Sequence, residues 1–123
     1  MADFTVADVI GDARKDLSDL FEGSYAYPTS DMAGYVGEGL IELRGIRPST
    51  RYDKTTAKLL EDDDTWSALS DASVAFILPV SPRYRRTLAA YVVFRCLRRD
   101  DTDKGNAARA EEFYKRFTET AAM

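Results

Sequence analysis

The sequence predicts a mainly α protein: a small bundle of four helices with an irregular or β-hairpin middle segment. Three observations predict it. Apolar residues recur at the spacing of one helical face in separate stretches along the 123 residues. Those stretches are bounded by helix-start residues and by glycine or proline. Only the stretch SVAFILPV, at 73–80, is short, apolar and β-branched enough to suggest a strand.

The first helix is expected over Thr5 to Phe21. Val6, Val9, Ile10, Ala13, Leu17, Leu20 and Phe21 share a face, and Thr5 with Asp8 forms an acidic capping box at the positive helix end. Phe4 is placed to staple onto the helix. Gly11 costs about 1 kcal/mol of helix propensity against Ala; it either meets another backbone or is simply tolerated. Gly23 stops the helix. In the loop Glu22 to Thr29, Tyr25 and Tyr27 are expected over the core, with a wet contact surface as the alternative. The second helix is expected over Ser30 to Gly45, capped by Ser30, with Met32, Tyr35, Val36, Leu40 and Leu43 on one face. Gly34, Gly37 and Gly39 weaken it, which suits either very close packing of another helix or a helix that depends on its neighbours.

Arg47-Pro48 breaks the helical pattern, because the residue before a proline is pushed out of the helical region. Residues 46–80 read as an extended arm or hairpin. Thr55 to Leu60 allows one or two helical turns. Glu61 to Asp64, EDDD, is expected as a solvated loop, since it lacks the spaced ligands and turn glycine of a calcium loop. Ser73 to Val80 suits a brief strand paired with Thr65 to Leu69, which includes Trp66, in a hairpin that needs packing or a partner strand, with a folded-over loop as the alternative.

The central helix, Ser81 to Arg99, starts with a Ser81 cap and Pro82 at the first helical position. Leu88, Ala89, Tyr91, Val92, Val93, Cys96 and Leu97 cover more than one of its faces, so several neighbours must bury it. Arg83, Arg85 and Arg86 crowd its N-terminal turns, where the helix dipole disfavours cations. They call for an acidic partner, from this chain or from a neighbouring subunit. Arg98 and Arg99 sit at the favourable end, next to the acidic turn Asp100 to Asn106, which is expected to cap and to pair with them. That turn misses the calcium-loop pattern, with Gly105 where a ligand is needed and Asn106 where the glycine belongs. A last helix is expected from about Asn106 to about Thr120. Ala110, Phe113, Tyr114 and Phe117 form its stripe, and the Glu111–Lys115 and Glu112–Arg116 pairs add about 0.2–0.5 kcal/mol each. Thr118 to Met123 is expected to be a flexible tail unless a partner orders it.

Composition narrows the function. A net charge of -4 is a poor basis for wrapping nucleic acid, which needs clustered Lys and Arg. The absence of histidine removes the commonest general base and metal ligand, and the single Cys96 excludes disulfide scaffolds and cysteine-rich zinc sites. The N-terminus lacks a secretory pattern and no apolar run approaches the roughly 20 residues of a membrane span, so a cytoplasmic chain with no membrane partner is expected. No carboxylate pair is placed opposite another in an apolar pocket, so no catalytic residues, no cofactor and no metal site are expected.

The second half combines Leu88, Ala89, Tyr91, Val92, Arg95 and Leu97 with Asp100, Asp103, Asn106, Ala110, Phe113 and Phe117. The first half contributes EGLIELRGIRP, Glu38 to Pro48. In these patterns of residue class the chain resembles head-to-tail connector (adaptor) proteins of tailed bacteriophages, over all but the weakly matched Ser49 to Ser81. The resemblance implies a helical bundle that assembles into a ring, most often of twelve copies, beneath the portal protein in the neck of the virion. Such a ring extends the channel for double-stranded DNA, which passes without specific binding, and docks a tail or nozzle protein. It implies no catalytic residues, and a C-terminal portal-reaching segment that would here be Thr118 to Met123. Ring subunits need two different side surfaces. The candidate subunit or portal contacts are Arg83, Arg85, Arg86, Trp66, Asp62, Asp63, Asp64, Thr118 and Met123. The alternatives are a small helical protein-binding or scaffold module and, behind it, a DNA-binding helical domain led by the same arginines.

Overall fold

The computed structural model describes residues 3–18, 26–53, 55–99 and 104–123. Among these the chain is mainly α-helical, as the periodicity predicts, and no strands form. Helix α1 is Val6–Leu17, α2 is Thr29–Ile46, α3 is the single turn Asp63–Trp66, α4 is Arg85–Arg99 and α5 is Lys104–Ala121. Helix α4 is the centre: α1, α2 and α5 all pack on it, while α5 barely touches α2. Leu88, Val92, Val93, Cys96 and Leu97 are buried in the same cluster as Val6, Val9 and Ile10 of α1, Leu40 and Leu43 of α2 and Phe117 of α5.

Helix α1 begins as its sequence dictates. The Thr5 hydroxyl accepts from the Asp8 amide, and the Asp8 carboxylate accepts from the Thr5 amide at 2.9 Å. It ends earlier than expected, at Leu17. Ser18 adopts a left-handed conformation with φ 56° and its N–H closes the last turn on Arg14 and Lys15. Leu20, Phe21 and Tyr25 lie outside the described residues. Nothing approaches Gly11, so it is tolerated rather than required.

Helix α2 starts one residue before the expected position, and Ser30 is within it. Pro28 occupies the cap position and offers no side-chain bond. The entry is held from α1 instead: buried Arg14 donates to the Tyr27 carbonyl at 3.1 Å and to the Thr29 hydroxyl at 3.0 Å. Two of the α2 glycines are close-packing sites. A Cβ on Gly37 would lie 1.8 Å from the Trp66 carbonyl oxygen, and one on Gly39 would lie 2.9 Å from the Tyr91 ring. Gly34 faces open space, so close packing does not explain it.

The middle segment departs most from expectation. No hairpin joins 65–69 to 73–80. Trp66 lies on α3, and residues 74–78 run along the start of α1. The Val6 and Ala7 amides donate to the Phe76 and Val74 carbonyls, the Leu78 amide donates to Phe4, and Thr5 bridges Ile77. The backbone groups of the strand-like stretch find partners about seventy residues earlier in the chain. A tight hairpin-like loop forms elsewhere, where helical turns were expected. The Asp53 amide donates to Lys58 and the Leu60 amide to Arg51, both at 2.7 Å, and Tyr52 bridges Leu59. Asp53 Oδ1 accepts from the Thr55 and Thr56 amides, and Ala57 takes a left-handed φ of 59° to complete the turn.

The C-terminal end is helical through Ala121, which is fully buried, where a frayed tail was expected. Arg47 donates to the Ala122 carbonyl at 3.1 Å and Arg83 to that of Met123.

Candidate interaction surface

The arginines that open the central helix separate into three environments. Ser81 caps the 3-10 turn Pro82–Tyr84, which leads directly into α4. Arg85 forms a two-point contact with Asp12 of α1, Nε to Oδ2 at 2.7 Å and Nη2 to Oδ1 at 3.0 Å. That hydrogen-bonded partner raises the Arg85 pKa and supplies, from the chain itself, the acid that the helix dipole calls for. Arg83 turns to the C-terminal carbonyl, with its guanidinium 4.9 Å from the Tyr84 ring centre. Arg86 is exposed, and no contact engages its guanidinium among the described residues. At the other end of α4, Arg99 pairs with Asp31 of α2. The acids at 100–103 expected to pair with it lie outside the described residues.

The EDDD run is not a solvated loop. Arg44, 0% exposed, directs Nη1 at Asp62 Oδ1, 2.7 Å away, and at Asp63 Oδ1, 2.6 Å away. Arg51 reaches the other Asp63 oxygen at 3.1 Å, and the Trp66 indole donates to Asp62 Oδ2 at 2.9 Å. Partial burial opposes the Asp62 charge, but the hydrogen bonds from Arg44 and Trp66 outweigh it and hold the pKa below 3.8. The Arg44 hydrogen bond likewise depresses Asp63. Trp66 is only 5% exposed and stacks edge-on with Phe76, so as a contact residue it is mostly withdrawn. Asp64 is the outward member, exposed beside exposed Glu61. Arg44 could have been suspected from spacing, since it follows Met32, Val36 and Leu40 at four-residue steps on the apolar face. Its Nε and Nη2 are buried without a hydrogen-bond partner.

Because α5 rests on α4 alone for most of its length, a groove opens on each side of it. On the α1 side a groove of about 450 Å³ has Ala89, Ala90 and Phe113 in its floor and Lys15, Arg86 and Arg116 on its rim. On the α2 side a groove of about 600 Å³ is lined by Tyr91, Phe94 and Tyr114 with Arg95, Arg98 and Lys115. The rings form a connected set: Phe94 lies 4.7 Å from Tyr114 and Tyr91 lies 5.0 Å from Phe117. Burial, with Glu42 and Glu38 adding to it, pushes the Tyr91 hydroxyl pKa up, so it stays protonated 3.5 Å from both carboxylates. Thr118, a predicted contact, lines this second groove, whereas Met123 stands 71% exposed at the chain end.

Sequence reasoning missed the exposed apolar side chains. Ile46, Tyr52, Leu59, Phe76 and Ile77 all fall within 46–80, and only Tyr114 and Met123 match them elsewhere among the described residues. The arm reading of this segment contained the signal, because a bridge in a short loop turns alternate side chains outward. Among the described residues no group of three or more His, Cys, Asp or Glu could hold a metal ion, and no helix is long and apolar enough to cross a membrane. No family model matches the chain, and no curated protein or solved structure matches it significantly.

Proposed function

We propose that the chain is a structural virion protein, a head-to-tail adaptor that forms a ring beneath a phage portal, extends the DNA channel and docks tail components. The observation that carries the reading furthest is the concentration of exposed apolar side chains, Tyr52, Leu59, Phe76 and Ile77 among them, in one segment braced by helices. A subunit that closes a ring needs such contact surface on a rigid support. The charge distribution is consistent with the role: a net charge of -4 limits adhesion to passing DNA, and the arginines best placed for a DNA groove are partly consumed by Asp12 and the chain end. In this reading the protein is not an enzyme and acts by contact alone.

Mass measurement and negative-stain imaging of the chain, alone and with portal protein, test the reading. Rings, or portal-bound assemblies of fixed copy number, are the expected result. A chain that stays monomeric and ignores portal overturns it. The aromatic groove between α2 and α5 favours a second reading, a helical protein-binding module, because aromatics accessible in a groove and flanked by arginine are common binding anchors. A monomer that captures a helical segment of another protein would support that second reading. A salt-sensitive shift of duplex DNA would instead favour a DNA-binding domain.

A further inference from the structure

We propose that the groove between α1 and α5 receives the Leu59–Asp64 segment of a second copy of this chain, an assignment that rests on the ring reading and gives its subunit contact. The two surfaces are opposite in sign. Leu59, 53% exposed, stands at the edge of the hairpin-like loop, and the carboxylates Glu61 and Asp64, exposed and unpaired among the described residues, line the same surface beside Arg51, which Asp63 engages. The groove offers the counterpart: an apolar floor of Ala89, Ala90 and Phe113, with Lys15 and Arg86 on its rim, both exposed and without a partner among the described residues. Arg116 adds a third cation, its guanidinium engaged among the described residues by Glu112 at 3.8 Å and by the face of Phe113. Asp12 and Asp16 also line the groove, but Asp12 is neutralised by Arg85, leaving the rim net basic in a net acidic chain. The two alanines of the floor leave room for a leucine beside Phe113, and the flanking charges fix its orientation. Knob and groove are different surfaces of one chain, so the contact is head to tail, the kind that closes into a ring by rotation.

A charge-swap experiment on the full chain decides the matter. The groove variant carries Lys15→Glu with Arg86→Glu; the knob variant carries Glu61→Lys with Asp64→Lys. All four side chains are exposed, so circular dichroism and thermal melts should match the wild type. Sedimentation velocity over a concentration series is expected to show the wild type associating and each variant alone requiring about tenfold more protein, or beyond, to do so. An equimolar mixture of the variants restores every opposite-charge contact in alternation and is expected to regain association. Variants that assemble like the wild type, a mixture that stays dissociated, or a wild type monomeric at every concentration each overturn the contact. The ring reading is scored separately by adding portal protein. Portal-bound rings that ignore the four substitutions remove this contact and keep that reading, whereas absence of rings with portal removes both.

Discussion

Arg44 shows how a single residue ties the middle of the chain to the bundle. A guanidinium with no solvent exposure is held by two carboxylates that are themselves about one-third exposed. The two sides of the interaction therefore respond differently to mutation. Asp62→Ala with Asp63→Ala leaves a buried cation uncompensated, and denaturant unfolding is expected to show a loss of about 3–5 kcal/mol. Arg44→Met fills the same space with an unbranched apolar chain, removes the two orphaned donors, and leaves both aspartates able to reach water. It is expected to cost clearly less, an order that the same measurement checks. The acid limb of stability carries the same signature. Both aspartates have native pKa values below 3.8, so the stability they contribute is complete above that pH and is lost as pH falls from there through the depressed native values. Acid melts of the wild type should fall in that window, and the double alanine variant should lack that component.

At the level of elements, the glycines of α1 and α2 separate tolerated positions from required ones. Gly11 and Gly34 meet nothing within 4 Å, so Gly11→Ala and Gly34→Ala are expected to raise stability by about 0.5–1 kcal/mol each. Gly37→Ala would push its methyl into the Trp66 carbonyl of α3 and is expected to destabilise by at least about 1–3 kcal/mol, as overpacking does. Chemical denaturation midpoints of the three variants check the contrast. The helices themselves were legible from sequence because α1, α2, α4 and α5 carry periodic faces over at least 12 residues. Helix α3 was not, since four residues cannot establish a helical period and the turn persists through Gly37, Asp62 and Trp66. The stretch 74–78 was legible as extended but not in its partner, because local pattern says nothing about an edge formed by residues 4–7. Of the candidate contacts, Arg83, Arg86, Asp64 and Met123 emerge exposed, while Arg85, Asp62 and Asp63 are paired within the chain and Trp66 is buried beside the two aspartates. Charge could be read from sequence, but which charges had already found each other could not.

For the molecule as a whole, one helix serves as core and the segments around it carry the surfaces. Helix α4 buries most of its length, so its buried Tyr91 and Cys96 are accounted for by packing, and the grooves exist because α5 rests mainly on α4 and only marginally on the other helices among the described residues. The seam between residues 4–7 and 74–78 has a further consequence, in the order of events during synthesis. Helix α1 leaves the ribosome before α4, yet its leading amides bond to carbonyls about seventy residues later, and Asp12 must wait for Arg85. At the usual elongation rates of roughly 5–20 residues per second, α1 is without its partners for several seconds. During that interval Val6, Val9 and Ile10 have no α4 to cover them, so the nascent chain carries an apolar helix that a chaperone can hold. Closure of the N-terminal seam then belongs to a late step, after α4 has emerged, and this long-range pairing slows the final assembly of an otherwise locally folding helical protein.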